Sequence, residues 1–140
     1  MDLSSYFSRW RTHTPTVLQD ADTEGEPWTI QYKLVSKGEA ARIHNLDAEG
    51  IAEEAKQWPD IDAYLGEEWS RFPMAIQRDL LLFAGHVGTI SNLTDGDKNI
   101  TSVMELFALL NGVLASHVLR ELNGCIVGVE TEADKKNFRP

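Results

Sequence analysis

Three features of the sequence predict a mostly helical α+β fold. The stretch Trp28–Val35 alternates apolar and polar residues with a period of two and is rich in aromatic and branched types, as a half-buried strand requires. Two long segments, 74–93 and 100–123, carry apolar residues over more than half the circumference of a helix. Between them and the strand, prolines and capping residues cut the chain into short helical pieces. The predicted layout is one domain over 1–140, with about five helices and a small antiparallel sheet.

The elements follow in chain order. Leu3, Tyr6, Phe7 and Trp10 share one face of a short helix that Asp2 or Ser4 could cap. Pro15 and the Gly- and Pro-containing run after it make 12–27 an exposed acidic loop. In the strand over 28–35, Trp28, Ile30, Tyr32 and Leu34 face the core. A tight turn at Lys37-Gly38 would then pair Leu34 with Ala41 and Tyr32 with Ile43, making about 40–45 a second strand. Ser36-Lys-Gly-Glu39 also matches a capping box, which would make 39–45 a helix, but the cross-strand register favours the hairpin. Asp47 caps a helix over 48–58 that Pro59 stops. Asp60 opens another through about Phe72, and Pro73 suits the first turn of the next.

The segments 74–93 and 100–123 are joined by the polar run Thr94–Asn99, of a length suited to an antiparallel helical pair. Ala84, Gly85 and Gly88 would let the two backbones approach closely. Gly124 is expected to end the last helix, leaving Cys125–Val129 as a brief strand able to join the sheet. The polar residues 130–140 are expected to be a mobile tail.

Composition narrows the function classes. Among 140 residues, 22 acids against 13 bases give a formal charge of −9, while 42% of the residues are apolar. Such a chain has material for a core, and its acidity argues against the basic stripe of a nucleic-acid binder or an anionic-membrane anchor. The single Cys125 allows no intramolecular disulfide, and the amphipathic N-terminus lacks the unbroken apolar stretch of a signal peptide, so a cytoplasmic protein is expected.

Motifs for chemistry are weak throughout. No Gly-rich phosphate loop is present. Asp95-Gly-Asp97-Lys-Asn99 opens like a calcium loop, but its sixth position is Ile100 and its twelfth Leu106, where Gly and Glu are needed. His117 and Glu121 share a helical face and His86 lies on the neighbouring segment, so these three are the candidates for an enzyme or small-ligand site. In a simple antiparallel pairing, however, His86 and His117 fall ~15 Å apart along the axis. His13 and His44 stand alone. No catalytic residue, metal site or cofactor is expected.

What remains is the placement of charge. Segments 20–26 and 47–72 sum to −4 and −6, and the rest of the chain is nearly balanced. In the second, the acids Glu53, Glu54, Asp60, Asp62, Glu67 and Glu68 interleave with Tyr64 and Trp69. A core helix with a wet side produces such a pattern; so does a recognition face. As a face, it would speed encounter with a basic protein or protein complex through long-range attraction, with exposed aromatics as anchors. The expectation is therefore a non-enzymatic acidic binding domain, of the inhibitor or immunity type, that masks a basic surface. A structural subunit that forms homodimers through its apolar helices is the alternative.

Overall fold

The last helix is tied by a backbone hydrogen bond to the segment that follows the central strand: the Val35 N–H donates to the Ile126 carbonyl at 2.7 Å. The structure, a computed structural model, describes residues 2–19 and 26–128. Its element order is α1 (Leu3–Ser8), β1 (Arg11–His13), β2 (Thr29–Tyr32), α2 (Lys37–His44), α3 (Ala48–Ala55), a π-helical turn (Ile61–Leu65) and a 3-10 segment (Gly66–Arg71). There follow α4 (Met74–His86), β3 (Val87–Ser91), β4 (Thr94–Asp95), β5 (Lys98–Asn99), α5 (Val103–Leu109) and α6 (Gly112–Val127). This is a mostly helical α+β fold with a small antiparallel sheet.

Helix caps follow the local sequence closely. Asp2 accepts from the Ser4 N–H, Asp47 from Gly50 and Ser102 from Glu105, each satisfying an amide that the first helical turn leaves without a partner. The segment 40–45 is the end of α2 and its C-cap Asn45, not the second strand of a hairpin. Ser36 caps α2 by accepting from the Glu39 N–H, and the Glu39 side chain turns to Arg42 instead of closing the capping box. Strand β2 gains nothing from that hairpin, because β1 and β3 occupy its two edges.

The sheet has the order β1-β2-β3, all antiparallel, with Arg11 opposite Tyr32, His13 opposite Ile30, and Ile30 opposite Ile90. Its third strand comes from inside the segment expected to be a helix over 74–93. Helix α4 ends at His86, and the branched run Val87-Gly-Thr-Ile90 pairs with a strand more than fifty residues earlier. Thr94–Asn99 forms the β4–β5 hairpin instead of a helix connection, with Gly96 at φ +61° in its turn. The expected helix over 100–123 is two helices: α5 stops at Leu109, and Gly112 at φ +55° redirects the chain into α6. The expected pair of uninterrupted helices over 74–93 and 100–123 is therefore not formed.

Gly124 does not end the last helix, nor do Cys125–Val127 form a strand. They are the final turn of α6, which stops at Gly128 in the left-handed conformation, φ +78°. Ile126, wholly buried, makes the extra turn worthwhile. The expected exposed loop over 12–27 also changes character. Residues 12–13 belong to β1, Pro15 is buried, and Val17 and Leu18 pack on the core, while 20–25 lie outside the described residues. The tail 130–140 lies outside them as well.

Helix α4 is the spine of the core. Leu80, Leu81, Leu82 and Phe83 are all buried, which no single face of a surface helix allows, and α4 packs against α2, α3, α5 and α6. Trp28 just before β2, Ile30 and Ile90 from the sheet, and Val118, Leu122 and Ile126 from α6 complete it. The glycines expected at a helix crossing instead receive tryptophan rings. The Trp58 ring edge would lie 3.6 Å from a Cβ on Gly85, and Trp10 lies so close to Gly88 that a Cβ there would meet it at 2.8 Å. Among the described residues, no helix is long and apolar enough to cross a membrane.

Candidate functional site: an acidic face and an adjoining cleft

The acidic segment is held by two inward anchors. Pro59 breaks the chain after α3, and in the π-helical turn Ile61 and Leu65 point into the core. That leaves Asp62, Ala63 and Tyr64 on the outside, with Tyr64 40% exposed. Gly66, at φ +52° and ψ −125°, then reverses the chain in a conformation that glycine adopts far more readily than a residue with a side chain. Its N–H closes the turn on the Ile61 and Asp62 carbonyls. Glu67 and Glu68 follow on the exposed side of the 3-10 segment, and Trp69 tucks its half-buried ring against the core. The Gln77 side chain fixes this end by donating to the Trp69 carbonyl at 2.7 Å.

The sequence-predicted acids separate into two groups. Glu54 leaves the face: it is 8% exposed, and both its oxygens accept from Arg42, at 2.9 and 3.0 Å. Glu53 is well exposed and bridged by Lys56 at 2.9 Å. By contrast, Asp60, Asp62, Glu67 and Glu68 make no side-chain hydrogen bond or ion pair with any other described residue. Four carboxylates within nine residues are thus open to solvent and uncompensated by a described partner.

Acids elsewhere are mostly spoken for. Glu105 accepts from the Thr101 N–H and lies 3.5 Å from Lys98, and Asp79 lies 3.6 Å from His44. Burial pushes the Asp79 carboxyl up from its ordinary value, against hydrogen bonding from Asn123 and the nearby His44. Glu49, Asp95 and Asp97 are the other described carboxylates without a partner, and they do not fall within 60–68.

The three residues considered for an enzyme site are engaged separately. Glu121 accepts from the Thr16 N–H at 2.6 Å and contacts His13 at 3.1 Å, so His13 is not isolated but pins β1 to α6. His86 Nδ1 lies 2.9 Å from the Leu82 carbonyl, and His117 is exposed on α6. No hydrogen bond or ion pair joins these three, and no group of three His, Cys, Asp or Glu among the described residues could hold a metal ion.

A feature that sequence reasoning missed borders the acidic face. A cleft of about 340 Å³ opens between the start of the acidic segment, the α4–β3 junction and the start of α5. Trp58, Pro59 and Met104 give it apolar walls, Thr89 and Thr101 contribute hydroxyl-bearing side chains, and Asp60 is the one charged residue lining it. The Trp58 indole Nε1 is buried and has no acceptor among the described residues. A buried donor left without a partner costs ~1–3 kcal/mol, so this one is a point of unspent hydrogen-bonding capacity. The only signal in the sequence was Trp58-Pro-Asp60, which reads simply as a helix end.

No family model matches the chain, and neither a curated protein nor a solved structure matches it. The functional reading therefore rests on this geometry alone.

Proposed function

We propose that this chain is a non-enzymatic protein-binding domain whose acidic face covers a basic surface of a partner protein, as an inhibitor or immunity-type protein does. The observation that carries this reading is the group of uncompensated carboxylates at Asp60, Asp62, Glu67 and Glu68, set beside the half-exposed Tyr64. Charges already paired within the chain attract a partner weakly; these four retain their full field. Such a field raises encounter rates and favours one orientation of approach, and an aromatic beside it supplies an anchor once water is displaced.

The test uses the partner recovered with the tagged protein from its native cell, followed by measured association rates. Raising salt shortens the range of charge interactions from ~30 Å at 0.01 M to ~3 Å at 1 M, so association slows steeply. Asp62→Asn, Glu67→Gln and Glu68→Gln together are expected to slow association about tenfold at low salt and to flatten its salt dependence, with unfolding unchanged. Rates indifferent to both salt and these substitutions would overturn the reading.

A second reading has one specific observation behind it. Leu109, Val113 and Leu114, at the corner between α5 and α6, are each about half exposed or more, an apolar patch that a second copy of the chain could bury. Self-association there predicts a dimer mass at high protein concentration that Val113→Glu returns to the monomer. A monomer mass across the whole range would exclude it.

A further inference from the structure

The cleft beside the acidic face has a shape and chemistry that specify what enters it. Its volume, about 340 Å³, lies at the low end of the ~300–1,000 Å³ of ligand pockets, so it suits a single side chain with its peptide group better than a cofactor. The walls from Trp58, Pro59 and Met104 suit an apolar stem. Asp60 supplies the one charge, a carboxylate that no described cation neutralises. Trp58, one of the lining residues, also holds a buried indole N–H without an acceptor among the described residues. The lining therefore suits an occupant with an apolar stem and a cation, and a movement of the Trp58 indole would let the same occupant supply the missing acceptor.

We infer that the cleft is an anchor pocket for an arginine side chain of the basic partner. The arginine stem lies along the apolar walls, and its guanidinium meets the Asp60 carboxylate, which its planar fork can bind through two N–H groups. The flat, weakly hydrated guanidinium also suits an aromatic wall better than the compact ammonium of lysine does. The main-chain carbonyl of the same residue accepts from Trp58 Nε1 once the indole adjusts to admit it. This rests on the proposed basic partner and deepens it: the face steers, and the cleft holds. Asp60 belongs to both, which explains how a residue drawn in by the field arrives at the pocket.

The test uses N-acetyl-arginine N-methylamide as the probe, titrated into ¹⁵N-labelled protein. The Trp58 indole cross-peak, assigned by its loss in Trp58→Phe, is expected to shift and saturate. The Trp28 indole, committed to the Val17 carbonyl at 3.0 Å, is the internal control and stays in place. The citrulline analogue, of the same shape without the charge, is expected to bind at least tenfold more weakly. Asp60→Asn is expected to weaken the arginine probe at least tenfold. A Trp58 cross-peak that never moves, a citrulline or lysine analogue that binds as tightly as arginine, or an Asp60→Asn protein that binds normally would each overturn the assignment.

The two readings fail separately. If Asp60→Asn leaves partner binding salt-dependent and equally tight, the pocket is not an anchor although the face still steers. If the probe binds as expected but the Asp62, Glu67 and Glu68 substitutions change no association rate, the pocket stands and the steering face falls.

Discussion

Phe83→Ala is expected to lower stability by about 4 kcal/mol, the largest loss of any single change considered. Phe83 is completely buried on α4 and stacks on Phe107 of α5, with ring centroids 6.1 Å apart and planes at 20°. Truncation removes the transfer free energy of a benzyl group and leaves a cavity between two elements that cannot close in without moving the sheet. Phe→Ala changes in such positions cost ~3–5 kcal/mol. Because β3 continues α4 and Met104 sits on α5, the same packing holds both sides of the cleft. Urea unfolding should show a lower midpoint at an unchanged slope, and a loss near ~1 kcal/mol would mean that α4 and α5 are not packed through these rings.

Arg42→Ala is expected to cost about 2 kcal/mol by a different route. Arg42 joins α2 to α3, gripping Glu39 at 2.7 and 3.0 Å and Glu54 at 2.9 and 3.0 Å. Removing it strands the Glu54 carboxylate, whose side chain is only 10% exposed. Stranding a fully buried charge costs ~3–5 kcal/mol; here the Arg42 side chain is itself 48% exposed, so water can reach the gap and the cost is smaller.

The pH dependence has a definite sign. Hydrogen bonding from Arg42 holds the Glu39 carboxyl below its ordinary value of 4.5. A depressed carboxyl stabilises the fold above the unfolded value, and that contribution disappears as pH falls through the folded value. The Glu39 part of the gap between wild type and Arg42→Ala should therefore narrow in acid. A gap that widened below pH ~4 would contradict the assignment.

Several parts of this architecture could be read directly from neighbouring residues. Asp2 and Asp47 cap their helices, Pro59 and Pro73 mark boundaries, and Trp28, just before β2, and Ile30, within it, are buried. Each depends on a side chain and the backbone within a few residues of it. Strand β3 could not be read in this way. Val87, Gly88, Thr89 and Ile90 continue the apolar pattern of α4, and only the free edge of β2, supplied from residues 29–32, makes the extended form better. Gly124 reads as the helix end in sequence; the burial of Ile126 carries α6 on to Gly128.

The functional surface divides along the same line. Clustered acids at 60–68 are visible in the chain because the π-helical turn and the 3-10 segment keep sequence neighbours close in space. The cleft is not, because its walls come from residues 58–60, 84–89 and 101–104. Nor does the doublet Glu53-Glu54 announce that one member pairs with an exposed lysine while the other turns inward to Arg42.

By itself, then, the sequence determined the helical α+β character of the protein, the Asp2 and Asp47 caps and the concentration of negative charge. Tertiary structure decided which acids remain uncompensated, where the third strand comes from and that a cleft adjoins the face. The reason is the range of the forces. Capping, proline sterics and charge density act among neighbours in the chain, whereas burial and strand pairing depend on partners tens of residues away, whose positions exist only once the core has formed.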